Sequence, residues 1–205
     1  MIDPPLLLVT DRKQAAAPLG DILAAAFAAG CRWASLREKD LSVQEQVALA
    51  HSLLPVARQW TARLTVHGDP LVAVAATADG VHLAAGSDVT GARAVLGPDG
   101  IVGISIHSVA EARALDPNFV DYAIAGPAFE TPSKPGYGPA LGTEGIRAIA
   151  DAARVPVIAI GGIVPERIPD IVAAGAAGVA VMGSVMRARD PGAEMRALLA
   201  AWVAK

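Results

Sequence analysis

Residues 155–184 read VPVIAIGGIVPERIPDIVAAGAAGVAVMGS, and this stretch decides the fold class. An apolar run at 155–160 stops at Gly161-Gly162, and Pro165 stands near the first position of a helical segment. A second apolar run at 179–182 stops at Gly183-Ser184. Both runs are continuous in Val, Ile and Ala rather than alternating with polar residues, which marks strands covered on both faces in a parallel sheet. The uncharged stretch 171–186, between Asp170 and Arg187, is shorter than the roughly 20 residues a bilayer span requires. Its glycines split it into a helix end and a strand.

The same strand–helix unit repeats upstream. Apolar runs at 6–10, 33–37, 64–67, 80–83, 101–106 and 120–125 supply the other strands. Helical segments lie at 19–29, stopped by Gly30, and after Ser42, which forms a capping-box pattern with Glu45. Others lie at 71–76, around 89–96, behind Ser108 and Glu111, and from Asp190-Pro191 to 203. Eight strands at intervals of about 25 residues, with no linker between them, predict a single (β/α)8 TIM barrel of the α/β class over residues 1–205. A doubly wound open sheet competes, but no strand-to-helix turn carries the Gly-rich dinucleotide fingerprint.

Composition narrows the function. Of 205 residues, 53% are hydrophobic and 18% charged, too apolar for a disordered chain. Seventeen Lys and Arg against twenty Asp and Glu give a net charge of −3, without the basic stripe that nucleic acid needs. Cys31 is the single cysteine, which excludes an internal disulfide or a multi-cysteine metal site and suits a reducing compartment. Met1-Ile2-Asp3-Pro4-Pro5 lacks the cations of a signal peptide. The expectation is a cytoplasmic protein with neither a membrane nor a nucleic-acid partner.

In a barrel of this type, chemistry gathers at the carboxyl ends of the strands. Arg37, Glu38 and Lys39 close the second strand, His67 and Asp69 the third, and Ser105 and His107 the fifth, while His82 lies within the fourth. His51 falls mid-helix and is expected to be an ordinary surface or partly buried residue. Residues two apart in a strand point the same way, so Arg37 pairs with Lys39 as an anion clamp. By the same parity Ser105 and His107 face the barrel axis, leaving Ile104 and Ile106 to the helices. The plainer alternatives are a solvated turn for the cations and core or rim packing for the histidines. A zinc or iron site from His67, His82 and His107 lacks any ligand-spaced pair, so no metal site is expected.

Gly161, Gly162, Gly183 and Ser184 form the strongest local signal. Glycine lets backbone N–H groups approach an anion, and barrels often seat phosphate between the last two loops. Tight strand-to-helix turns are the plainer use of these glycines. The loop at 127–141 is the longest, stiffened by Pro132, Pro135 and Pro139. Its Thr131, Ser133 and Lys134 suit a diphosphate or a carboxylate.

Several segments, taken in order, carry a family resemblance. They are Ser35-Leu36-Arg37-Glu38-Lys39-Asp40, Ala78-Asp79-Gly80-Val81-His82-Leu83, Gly103-Ile104-Ser105-Ile106-His107-Ser108 and Asp121-Tyr122. Gly126-Pro127-Ala128-Phe129, Val157-Ile158-Ala159-Ile160-Gly161-Gly162-Ile163 and Gly178-Val179-Ala180-Val181 follow. Together they resemble the thiamine phosphate synthase and TenI family over nearly the whole chain. Synthases of this family join a hydroxymethylpyrimidine diphosphate to a thiazole phosphate and release Mg-bound pyrophosphate. The resemblance implies that Arg37, Lys39, Ser105, Thr131, Ser133 and Lys134 hold the diphosphate. It likewise implies that the backbones of Gly162, Gly183 and Ser184 hold the thiazole phosphate, with catalysis mostly charge stabilisation of the leaving group.

The chain departs from this pattern where the metal belongs. The family's Asn-Asp pair after the third strand reads His67-Gly68 here. Its Gly-Gln-x-Asp after the fourth reads Ala84-Ala85-Gly86-Ser87, with Asp88 one place late, and its Gln before Leu-Arg is Ser35. Mg²⁺ takes carboxylate oxygen, which neither His67 nor Gly68 supplies; Asp69 or Asp88 compensates only through a shifted loop. The TenI branch is similar at His67-Gly68 and at Phe129-Glu130-Thr131. Its members act as thiazole tautomerases, which need an acid/base group and a phosphate anchor but no Mg²⁺. The branch's catalytic His, two residues before that Phe, is Pro127, which leaves His67, His107 or Glu130 to move the proton. The resemblance thus implies a thiazole tautomerase without a cofactor, its substrate carboxylate on Arg37 and Lys39. A thiamine phosphate synthase with a rearranged Mg²⁺ site is the second reading, and a non-catalytic binder of the phosphorylated thiazole the third.

Overall fold

The apolar runs become eight strands: β1 Leu6–Val9, β2 Trp33–Leu36, β3 Arg63–His67, β4 Gly80–Leu83, β5 Ile101–Ile106, β6 Tyr122–Ala125, β7 Val157–Ile160 and β8 Gly178–Val181. They pair in chain order, all parallel, and β1 closes on β8. This is the closed (β/α)8 barrel, seen in a computed structural model that describes residues 2–131 and 139–203. Around it run helices α1 Leu19–Ala28, α2 Val43–Gln59, α3 Pro70–Ala76, α4 Val89–Leu96 and α5 Val109–Ala114. They continue with α6 Gly142–Ala152, α7 Ile168–Ala173, α8 Gly183–Met186 and α9 Pro191–Val203. No helix among the described residues is long and apolar enough to cross a membrane.

Strand parity divides the core in two. Leu6 and Leu8 of β1, Leu64 and Val66 of β3, and Val102, Ile104 and Ile106 of β5 pack outward against the helices. Leu7, Val9, Trp33, Tyr122, Ile124, Ile158 and Ala180 fill the barrel interior. Trp33 and Tyr122 meet edge to face there, ring centroids 4.6 Å apart. Gly103 makes room for them, since a Cβ at that position would stand 2.0 Å from the Tyr122 ring. Cys31 is buried, and that burial pushes its thiol up to about 11, so it packs rather than reacts.

The motif carboxylates that precede strands serve the opposite end of the barrel from the site. Asp79, before β4, accepts the Leu64 N–H at 2.7 Å and pairs with Arg58 and Arg63. Asp121, before β6, accepts the Val102 N–H at 2.7 Å and pairs with Arg93. Each carboxylate ties its strand to the one before it. Helix α6, absent from the sequence reading, follows the long loop. It buries only Ile146 and Ile149 against the barrel, too sparse a stripe to stand out beside three prolines.

Candidate active site

The carboxyl ends of the strands enclose a cavity of about 230 Å³. Val9, Ile124, Ile160 and Ala180 supply its apolar walls, and the loops behind β6, β7 and β8 its far side. Every ionisable side chain on the described lining is basic: Arg37, His67, His82, His107 and Arg187. No described carboxylate reaches it. A pocket of this composition favours an anion.

The second strand's end is fixed from below. Thr10 Oγ1 donates to the buried Glu38 at 2.7 Å and accepts the Arg37 N–H at 3.0 Å. Glu38 also accepts the Arg12 N–H and forms a 3.5 Å ion pair with its guanidinium. Glu38 is therefore a clamp between β1 and β2. Arg37 lines the cavity, but Lys39 is exposed and does not, which corrects its expected place in the clamp. The strand stops at Leu36, so the two-residue period no longer governs where Lys39 points. Its ammonium is drawn below the usual value by partial burial and then by the charge of Arg37.

The histidines converge. His82 is fully enclosed, with Nδ1 3.1 Å from the Tyr122 hydroxyl and Nε2 2.9 Å from Ser105 Oγ. Burial, then the charges of His67 and Arg37, pushes its pKa well below 6.5, so it is neutral. His67 lies beside it, ring centroids 5.2 Å apart. His107 closes β5. Its backbone N–H donates to Glu111 at 2.8 Å, and Nδ1 donates to the Gly126 carbonyl at 2.7 Å. A carbonyl only accepts, so the neutral ring carries its proton on Nδ1 and its basic lone pair on Nε2. Ser105 joins these rings on the cavity, and so does Ser35, whose buried Oγ has no hydrogen-bond partner among the described residues.

Gly161, Gly162, Gly183 and Ser184 face them. At Gly162 the backbone takes φ 63°, and a Cβ would stand 2.6 Å from the Glu130 carbonyl oxygen. Close approach of the β6 loop thus demands glycine there. Arg167 locks the same junction, donating to the Gly162 carbonyl at 3.0 Å with its guanidinium 4.3 Å from the Phe129 ring centre. No side chain caps the N-terminus of α8, whose Met186 N–H returns to the Met182 carbonyl at 2.9 Å. Thr131 also lines the cavity, whereas Glu130 is exposed and does not, so the structure removes it from the candidates for proton transfer. Ser133 and Lys134 lie outside the described residues. Arg187, Ser35 and His82 are the lining residues that site selection from sequence passed over. Parity in β4 pointed to His82, and one helical turn from Gly183 pointed to Arg187.

The matched pattern extends beyond this geometry. A family model described as thiamine monophosphate synthase matches residues 6–185. The chain belongs to that family. A putative thiamine-phosphate synthase of Geobacter sulfurreducens is 38% identical over 201 residues, 97% of this chain and 94% of that protein. A thiamine-phosphate synthase of Roseiflexus sp. is 41% identical, covering 93% of this chain and 82% of its own length. The bifunctional ThiM/ThiE protein of Symbiobacterium thermophilum is 43% identical over 87% of this chain, which spans only 38% of that longer protein. Among solved structures, thiamine phosphate pyrophosphorylase of Pyrococcus furiosus superposes with a TM-score of 0.86 at 28% identity, over 97% of this chain and 95% of that one. These relatives carry the name of the reaction that the sequence reading ranked second, and none is named a tautomerase.

The family resemblance implies Mg²⁺, and the described residues do not fit it. Asp69 caps α3 by accepting the Leu71 N–H at 2.8 Å, and Asp88 caps α4 by accepting the Gly91 N–H at 2.9 Å. Neither lines the cavity, Glu38 is engaged beneath it, and no group of three or more His, Cys, Asp or Glu among the described residues could hold a metal ion. Each cap stabilises its helix by about 1 kcal/mol, which holds the carboxylates where they are.

Proposed function

We propose that this chain is an enzyme of thiamine biosynthesis that holds a thiazole phosphate with its phosphate between Gly161-Gly162 and Gly183-Ser184. The observation that carries this reading is a cavity whose described ionisable lining is wholly basic, set against the glycine loops of a family named for a thiamine phosphate synthase. The reaction follows the full-length relatives: coupling of the thiazole phosphate to a hydroxymethylpyrimidine diphosphate. The carbon–oxygen bond to the diphosphate breaks, the pyrophosphate leaves with the electron pair, and the thiazole ring nitrogen supplies the pair for the new carbon–nitrogen bond. Arg37 stabilises the departing charge.

A second reading is favoured by the same carboxylate-free lining and by the tautomer of His107. A tautomerase acting on a carboxythiazole phosphate needs a base near the ring and an anchored phosphate. His107 Nε2 serves as that base, and Arg37 takes the carboxylate. One experiment separates the two. Purified protein is given both phosphorylated substrates, with Mg²⁺ and with EDTA, and thiamine phosphate and pyrophosphate are quantified. In parallel, the decay of the dihydrothiazole tautomer is followed. Pyrophosphate release supports the synthase, accelerated tautomer decay alone supports the tautomerase, and neither activity overturns both.

A further inference from the structure

Two buried side chains that neither reaction uses are joined by hydrogen bonds to the cavity-lining hydroxyl of Ser105. Tyr122 and His82 are 2% and 3% exposed, and His82 bridges the Tyr122 hydroxyl and Ser105 Oγ. A bridging neutral imidazole has one proton to give, so the chain of hydrogen bonds runs in one of two senses. In the first, Tyr122 donates to Nδ1, and Nε2–H donates to Ser105. In the second, Ser105 donates to Nε2, Nδ1–H donates to Tyr122, and the phenol turns to the Thr65 hydroxyl beside it. Thr65 donates its own proton to the Ala34 carbonyl at 3.3 Å.

Acid–base strength favours the first sense, which gives up the Tyr122–Thr65 hydrogen bond of the second. A phenol is a better donor and a poorer acceptor than an aliphatic hydroxyl, and an imidazole lone pair is a better acceptor than either oxygen. Pairing the strongest donor with the strongest acceptor places the Tyr122 proton on Nδ1. The ring proton then sits on Nε2 and occupies a lone pair of Ser105, whose own proton turns into the cavity. We propose that Tyr122 and His82 are a positioning relay that commits Ser105 to donate to an oxygen acceptor of the bound ligand. A carboxylate or diphosphate oxygen takes that proton, whereas a ligand N–H could use only the one remaining lone pair of Ser105. The ligand half of this proposal rests on the reading of the cavity as the site of an anionic substrate.

The relay itself is tested without any ligand. Long-range proton–nitrogen NMR on the ¹⁵N-labelled protein should show His82 neutral, with its proton on Nε2. Tyr122→Phe should lose that preference and shift the signals toward the Nδ1–H form. An Nδ1–H tautomer in the wild-type protein overturns the relay. Calorimetry with pyrophosphate reads the consequence. Ser105→Ala and Tyr122→Phe should each weaken binding about threefold to tenfold, and the double variant should be no weaker than Ser105→Ala alone. Additive losses overturn the proposal, because they show Tyr122 acting other than through Ser105. Wild-type protein that binds no pyrophosphate overturns the anion reading instead, while the tautomer still decides the relay.

Discussion

The two lips of the cavity are built from different material. Behind β7 and β8 the lip is backbone, glycine loops whose shape is fixed by the neighbouring β6 loop, as the Cβ contacts at Gly162 show. Behind β3 and β4 the family resemblance implies side chains that hold a metal, and the corresponding places here carry His67, Gly68 and two helix-capping aspartates. A backbone site persists as long as the loops pack, because almost any substitution that damages it also damages the fold. A side-chain site can be lost one residue at a time while the barrel stays intact. The backbone lip carries the proposed phosphate anchor; the side-chain lip is where this chain departs from the family pattern.

The largest effect should come from damaging the backbone lip. Gly162→Val adds a side chain at φ 63° where a Cβ already meets the Glu130 oxygen at 2.6 Å. Strain and overpacking of about 1–3 kcal/mol each force the β6 and β7 loops apart. Thiazole phosphate affinity, read by calorimetry, should fall at least about tenfold. Unchanged affinity would place the phosphate elsewhere.

Repairing the other lip should fail. Gly68→Asp restores the carboxylate that the family carries, and a Cβ there meets nothing within 4 Å. The backbone, however, takes φ 112°, which an L side chain adopts only at a cost of about 1–3 kcal/mol. The variant should unfold at lower denaturant and gain no Mg²⁺ binding by calorimetry. Tight Mg²⁺ binding would show that the lip differs by one residue alone.

His82 supplies the next effect. The folded chain keeps it neutral, while the unfolded chain protonates it below about 6.5, so unfolding takes up a proton in acid. Its contribution to stability is therefore complete above 6.5 and falls with decreasing pH, by up to about 1.4 kcal/mol per unit. Arg37 and His67 add to the repulsion. Subtracting the stability of His82→Gln from that of the wild type between pH 7.5 and 5.5 should expose this slope; a flat difference would mean that His82 accepts a proton in place. Ser35→Ala should have the smallest effect. Removing an orphaned buried hydroxyl should leave the unliganded protein as stable or up to about 1 kcal/mol more so, while weakening pyrophosphate binding a few-fold.

Much of this was legible in the sequence because parallel strands covered on both faces are written as continuous apolar runs, and their parity is strict. That parity puts Ser105 and His107 on the cavity side and Ile104 and Ile106 against the helices, as the structure has them. It failed three residues past a strand's end, at Lys39, where the chain turns and the period of two stops. Tertiary contacts were invisible altogether. Nothing local says that Glu38, inside a charged Arg-Glu-Lys sequence, is buried beneath Thr10. The loop glycines were recognised as a phosphate signal, but the approach of Glu130 that demands Gly162 joins segments far apart in the chain.

The account stands on a phosphorylated heterocycle held by the glycine lip without a protein-bound divalent ion. Isothermal titration of the wild-type protein with thiazole phosphate, once in EDTA and once in Mg²⁺, addresses this most directly. The expected result is saturable one-site binding with the same Kd in both buffers. Binding that appears only with Mg²⁺, or no binding in either buffer, would contradict it.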